Sequence, residues 1–275
     1  MLSINTDYHS EGDDSPYPYL KRIAEAGFSH VHWCHMYNGD YYYSKEKIEE
    51  TKKGLDEYGL KMLDLHGTMG EKHVWVSADE EERRAGVELV KNRIDLKHAC
   101  GGRAVVMHAA LAIVGETEVL APGAAQLCKT LDELREYALE RNVWIAIENS
   151  KNLVVIKHFL TLYEPEFVGF CYDCGHGNLI GQNGLDFLEN NDDLTSRIVS
   201  IHLHDNDRKG DLHMPLFSGT LDWDCLARIL AASSYDQCVT METSMEFSGT
   251  DDEEVFLKRA FEEGTRFSDM IEKYR

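Results

Sequence analysis

Basic residues are scarce in this chain, and so are the features that would anchor or staple it. Lysine and arginine number 28 against 49 aspartates and glutamates in 275 residues, a formal charge of −21. A field of that sign repels polyanions, and phosphate neutralisation by Lys and Arg supplies most non-specific nucleic-acid affinity, so nucleic acid is not the expected partner. No apolar run approaches the ~20 residues of a membrane span. The opening MLSINTDYHS lacks the basic region and apolar core of a secretion signal. Seven cysteines make an odd number. With most of them in or near apolar segments, a disulfide framework is not expected and a reducing cytoplasm is. Cys171 and Cys174 have two residues between them, but no second pair completes a structural zinc site. No Pro/Gly/Ser linker, repeat, low-complexity tract or charged tail divides the chain. These exclusions leave one domain acting on a small molecule.

What is present is alternation. Mostly apolar runs of strand length occur at Leu2–Thr6, His30–His35, Lys61–His66, Ala104–His108, Val143–Glu148, Val168–Asp173, Ile198–His202 and Cys238–Glu242. Between them lie helical faces: Leu20, Ile23 and Ala24 stopped by Gly27; Leu127, Leu131, Leu134 and Ala138; Leu226, Ile229 and Leu230; Leu257, Ala260 and Phe261. Ser44 before KEKIEE and Ser77 before ADEEERR are expected to cap helix starts. Alternating strands and helices imply a parallel sheet, and eight units close into a (β/α)8 TIM barrel of a single domain over 1–275. An open doubly wound sheet would want a glycine-rich phosphate loop after the first strand, where this chain has the acidic DYHSEGDDSPY.

In such a barrel the active site forms at the C-terminal strand ends. Six consecutive strands finish at or beside a metal-ligand type: His66, His108, Glu148, Asp173, His202 and Glu242. A lone strand-end His or Glu is most often capped or solvated. Yet Glu148 after Ile145-Ala146-Ile147, Glu242 after Val239-Thr240-Met241, and Asp173 after Phe170-Cys171-Tyr172 would all be costly to leave unpaired at apolar strand ends. One shared cation resolves all three. Past His202 the chain crowds His204, Asp205, Asp207, Arg208, Asp211 and His213 into one loop before Trp223, and imidazole and carboxylate are the protein's N and O donors to divalent metals.

The segments IEN at 147–149, YDCGHGN at 172–178, HLHDND at 202–207, the Asp211/His213 pair, GTLDW at 219–223 and MET at 241–243 resemble the xylose isomerase-like barrel superfamily. Their nearest likeness is to its sugar phosphate isomerase/epimerase group, related to the ketohexose 3-epimerases and endonuclease IV. The resemblance implies that Glu148, Asp173, His202 and Glu242 hold a divalent metal (Mn²⁺ or Zn²⁺, with Mg²⁺ the alternative), and that Glu148 and Glu242 are the catalytic acid–base pair. It implies further that His176 and Arg208 hold substrate oxygens. It also matches His66, His108, His176, Asp211 and His213 to the additional ligands of endonuclease IV's three-metal cluster. Leu216, Phe217 and Ser218 depart from the family's glycine-rich loop after the Asp/His pair. The implied activity is metal-dependent isomerisation or epimerisation of a sugar, polyol or sugar phosphate. A zinc phosphodiesterase and an inosose-type dehydratase are the alternatives.

The remaining expectations are weaker in basis. His30 and His32 share a face and are expected as core or barrel-wall residues, with Trp33 or His35 contacting substrate in the pocket. Tyr41-Tyr42-Tyr43 is expected as a pocket lid or a contact between copies in a homo-oligomer. Glu71, His73 and Trp75 are expected to roof the site, and His98 and His158 to sit in helices.

Overall fold

Strand β1 (Leu2–Asn5) and the seven strands that follow it form one parallel sheet, in a computed structural model describing residues 1–9, 16–69, 74–109, 123–150, 152–179 and 184–275. The others are β2 (His30–Trp33), β3 (Lys61–His66), β4 (Ala104–Met107), β5 (Trp144–Glu148), β6 (Val168–Asp173), β7 (Ile198–His202) and β8 (Val239–Met241). Their order is β7-β6-β5-β4-β3-β2-β1-β8. The ring closes through Leu203, whose amide donates to Thr240 O while its carbonyl accepts from the Glu242 amide, both at 3.0 Å. The expected single-domain (β/α)8 barrel is the fold, with every expected strand in place and its ends within two residues of expectation.

Helices return the chain between strands: α1 (Tyr17–Glu25), α2 (Lys45–Glu57), α3 (Glu80–Ala99), α4 (Ala124–Glu140), α5 (Leu153–Leu160), α6 (Cys174–Asn178), α7 (Gly184–Glu189), α8 (Asp192–Thr195), α9 (Trp223–Ala232) and α10 (Glu253–Tyr274). Their buried residues fall where the 3.6 periodicity put them: Leu20 and Ile23 on α1, Leu127, Leu131, Leu134 and Ala138 on α4, Leu226, Ile229 and Leu230 on α9. Ser44 caps α2 by accepting from the Lys47 amide at 3.2 Å. Ser77 is not the cap of α3. Asp79 is, because its carboxylate accepts from two free amides, those of Glu81 and Glu82, each at 3.0 Å.

Period-two alternation sorts the strands into two faces. Leu2, Ile4, Val31, Trp33, Val105, Ile145, Ile147, Phe170 and Met241 face the helices and form the main core. Inside the barrel, Ala104, Val106, Ala146 and Cys171 make a smaller apolar cluster. Above it the interior turns polar: His32, Asp64, Ser200 and Thr240, then His66, Glu148, Asp173, His202 and Glu242, all buried. A barrel axis is ordinarily filled with branched apolar side chains. Among the described residues no helix is long and apolar enough to cross a membrane.

Candidate metal centre

Glu148, Asp173 and His202 are the last residues of their strands, and Glu242 follows β8 directly. Ligand atoms of these four all lie within 4.8 Å of one another, and all four residues are buried. Asn149 fixes Asp173 by a reciprocal pair: its amide donates to Asp173 O at 2.9 Å and its carbonyl accepts from the Asp173 backbone amide at 2.8 Å. Asp173 in turn caps α6, accepting from the His176 amide at 2.7 Å.

Around this tetrad stand the other expected ligands. His66 Nε2 lies 3.0 Å from Glu242 Oε1, and His108 Nε2 lies 3.2 Å from Glu148 Oε2. His66, His108 and Glu148 form a group of their own at ligand spacing. On the opposite side, His176 Nε2 and His213 Nε2 lie 3.1 and 3.4 Å from Asp211 Oδ2. Each of these two imidazoles has Nδ1 at 2.8 Å from a backbone carbonyl, Asn149 O for His176 and Glu242 O for His213. That arrangement keeps a proton on Nδ1 and turns Nε2 inward, as imidazole ligands are commonly oriented.

Electrostatics follow from crowding carboxylates and imidazoles away from water. Burial alone would raise Glu148, but His108, His176 and His202 hold it well below the usual carboxylate range. Glu242 is likewise raised by burial and brought well below by His202 and His66. Burial opposes charge on His202, yet Cys171, Glu242 and Glu148 raise it well above its ordinary value. His176 is raised despite burial by Asp173, Asp211 and Glu148, and His213 is raised to about 10 by Asp211, Glu242 and Asp173. His66 goes the other way, to about 4, through burial and the neighbouring His32.

The donors fit a divalent cation. Glu148 Oε2, Glu242 Oε2 and both ring nitrogens of His202 are buried without a hydrogen-bond partner. His202 Nδ1 and Glu242 Oε2 approach to 2.9 Å without the alignment of a hydrogen bond. Metal–ligand bonds of about 2.0–2.2 Å place ligands around one ion at the spacing seen here. Three carboxylates and one imidazole suit Mn²⁺ or Mg²⁺, and the surrounding histidines suit Zn²⁺.

The structure also places residues that sequence reasoning missed or put elsewhere. His204 is buried, with Nε2 at 3.1 Å from Asp173 Oδ1 and its ring stacked on His213 at 4.0 Å. Gly175 makes room for it, since a Cβ there would meet His204 Cε1 at 1.9 Å. Asp205 is a structural staple. Its Oδ1 accepts from the amides of Asn206, Thr220 and Leu221, and its Oδ2 from Trp223 Nε1, all between 2.9 and 3.1 Å. Trp33 does not reach the pocket. It faces the helices, 1% exposed, with Nε1 donating to Tyr43 at 3.1 Å. Tyr43 is core rather than lid, whereas Tyr42 is 61% exposed. Trp75 is buried and donates to Thr68 O. Arg208 is exposed, in a turn with φ 71°. Glu71 and His73 lie outside the described residues.

With the fold and this centre in view, comparison places the chain in a family. The xylose isomerase-like TIM barrel family model matches residues 20–262, and the chain belongs to that family. It is 31% identical over 286 aligned positions to the uncharacterized protein y4fM of Sinorhizobium fredii, spanning 93% of this chain and 89% of that one. Among solved structures it resembles a D-tagatose 3-epimerase-like protein, with TM-score 0.75, 19% identity, and 99% and 97% of the two chains covered. It also resembles the IolI protein solved with a zinc atom, with TM-score 0.69, 19% identity, and 100% and 99% covered. At these identities the two structures speak to the fold.

Proposed function

We propose that this protein is a cytoplasmic, divalent-metal-dependent isomerase or epimerase of a sugar, polyol or sugar phosphate. One observation carries the reading: two buried glutamates, Glu148 and Glu242, converge with Asp173 and His202 at the C-terminal mouth of the barrel. Moving a proton at a carbon beside a carbonyl needs a base, an acid and stabilisation of the negative charge that develops on oxygen. When bound at the tetrad, a divalent cation supplies that electrophilic stabilisation. One glutamate removes the proton from the substrate carbon and the other returns one, so that delivery to the opposite face gives an epimer. Glu148 can hand its proton to His108, which lies 3.2 Å away, is half-buried, and is raised above its ordinary value by Glu148 and Glu242 despite burial. His176 binds a substrate oxygen at the rim, and Arg208, on the exposed loop after β7, is assigned a phosphate or distal hydroxyl from the family resemblance.

The test is a panel of ketoses and ketose phosphates in D₂O with Mn²⁺ or Zn²⁺ supplied. The expected result is an isomer carrying deuterium at the reacting carbon, with Glu148→Gln and Glu242→Gln each lowering kcat by about 10²–10⁴. Full activity in both variants overturns the acid–base assignment.

A second reading is supported by the His176–Asp211–His213 triple and by His66 with His108 beside Glu148, the positions matched to the additional ligands of a multinuclear zinc phosphodiesterase. An inert sugar panel together with metal-dependent cleavage of abasic-site DNA would favour it. The formal charge of −21 weighs against it.

A further inference from the structure

A polar cluster lies inside the barrel next to the tetrad, and the reaction proposed above has no use for it. His32 and Asp64 are paired across β2 and β3. Both are buried, on the axis side of their strands. His32 Nδ1 lies 2.8 Å from Asp64 Oδ1, and the Ser200 hydroxyl donates to the other oxygen of the same carboxylate. The carboxylate accepts from both groups, so the imidazole proton is held on Nδ1 and the lone pair is left on Nε2. His32 Nε2 is buried and has no hydrogen-bond partner.

A histidine kept only for packing accounts for the Nδ1 contact and leaves Nε2 without a purpose. A carboxylate that pins one imidazole nitrogen while the other is free is the arrangement that orients metal-binding histidines. The surroundings supply the remaining donors. Ring nitrogens of His32, His66 and His202 and a carboxylate oxygen of Glu242 all lie within 4.8 Å of one another. The His32 ring centroid is 4.5 Å from that of His66 and 4.3 Å from that of His202.

We propose that His32, His66 and Glu242, with His202 as fourth member, form a second cation position, oriented by Asp64 and Ser200. Its chemistry differs from that of the tetrad. Three imidazoles and one carboxylate select Zn²⁺ or a similar borderline ion, whereas the carboxylate-rich tetrad suits Mn²⁺ or Mg²⁺. Glu242 serves both positions through separate oxygens, with Oε1 at 3.0 Å from His66 Nε2 and Oε2 at 2.9 Å from His202 Nδ1. With His202 committed to the tetrad, His32, His66 and Glu242 still provide three ligands, enough for a zinc ion with an open coordination position. The position does not depend on the identity of the substrate.

The experiment is metal loading of the full-length chain after chelation: Zn²⁺ counted by elemental analysis, and Co²⁺ titration followed by visible absorption. Four-coordinate, nitrogen-rich Co²⁺ absorbs strongly and six-coordinate Co²⁺ weakly. The parent is expected to bind at least two ions and to show the strong band. His32→Gln should bind one ion fewer and lose that band. Asp173→Asn, which alters the tetrad but no ligand of the second position, should keep the band while losing turnover, so that failure of the tetrad and failure of this second position are told apart. Asp64→Asn, of nearly the same volume, should weaken the strongly absorbing position by about 10–100-fold. The proposal is overturned if the parent binds a single ion. It is also overturned if His32→Gln, with circular dichroism and melting matched to the parent, keeps the parent's ion count and spectrum. Should His32→Gln fail to fold, unchanged Co²⁺ affinity in Asp64→Asn overturns it.

Discussion

His202 Nδ1 lies 2.9 Å from Glu242 Oε2 at the mouth of the barrel, both side chains almost wholly out of water. Without a cation, such a contact is held together by a proton on the imidazole. The same holds for His176 against Asp173 and Asp211, and for His213 against Asp211. A cation at the tetrad requires neutral imidazole, so it takes the place of a proton.

Metal binding should therefore release protons. The histidine values are raised, so at neutral pH these groups are protonated before binding, and lowering the pH adds competition. Affinity for Mn²⁺ or Zn²⁺ is expected to fall steadily as the pH is lowered from the alkaline range of the raised histidines through 7. Calorimetry at pH 7 in buffers of different ionisation enthalpy should report at least one proton released per ion. A binding enthalpy independent of buffer would show that the imidazoles are already neutral.

Asp205 should be the most damaging substitution in the loop after β7. It accepts four hydrogen bonds that tie this loop to the start of α9. Asp205→Ala leaves the buried Asn206 and Leu221 amides and the Trp223 indole unpaired, while the Thr220 amide keeps Asn206 O, a cost on the order of 4 kcal/mol. Asp205→Asn keeps one acceptor oxygen and should cost roughly half as much. The midpoint of urea unfolding, read by Trp fluorescence, measures both. An alanine variant within about 0.5 kcal/mol of the parent would mean that the loop finds other partners.

Much of this architecture was legible because the signals were local. Glu148, Asp173 and Glu242 each close an apolar run, and an unpaired carboxylate there is costly whatever the tertiary structure. His32 and Trp33 show where legibility stops. Alternation puts them on opposite faces, but it does not say which face meets the barrel axis. His32 meets Asp64 through an irregularity in strand register between Val31 and His32. No spacing in the sequence marks that bulge, so the pairing with Asp64 is not legible; His32 is buried inside the barrel, within the core-or-wall reading, whereas Trp33 packs against the helices instead of entering the pocket. His204 was visible two residues after His202, but its partner Asp173 is 31 positions away. Asp79 displaced Ser77 as a helix cap because a carboxylate serves two amides, a competition that spacing alone does not decide.

Gly175 should report on the site by sterics alone. A side chain there would meet His204 Cε1 at 1.9 Å, a ring that is fully buried and stacked on His213. Gly175→Ala must push His204 off Asp173, with an overpacking cost of about 1–3 kcal/mol. Metal affinity at the tetrad is expected to fall with it, because Asp173 loses an orienting partner. Isothermal titration with Mn²⁺ on a folded Gly175→Ala sample decides the point. Affinity equal to the parent's would confine His204 to packing.

Lys97 offers a test remote from the site. It lies fully buried on α3, with Nζ donating to Met62 O at 2.6 Å beneath Gly102, where any side chain would occupy the ammonium position. Burial lowers its value from 10.5 to about 7, against an opposing pull from Asp64. Between those two values the unfolded chain holds a proton that the folded chain does not, so stability rises with pH, by up to about 1.4 kcal/mol per pH unit. Below 7 both states are protonated and the full penalty of the buried charge is present; above 10.5 both are neutral and it is gone. Lys97→Met removes the charge while leaving the Met62 carbonyl without its donor, so its absolute stability is a balance of two changes. The slope is not. Urea unfolding of parent and variant from pH 7.5 to 9.5 should show rising stability in the parent, with a clearly smaller rise in Lys97→Met. Parallel slopes would mean that Lys97 stays charged in the folded chain, stabilised by more than the Met62 carbonyl.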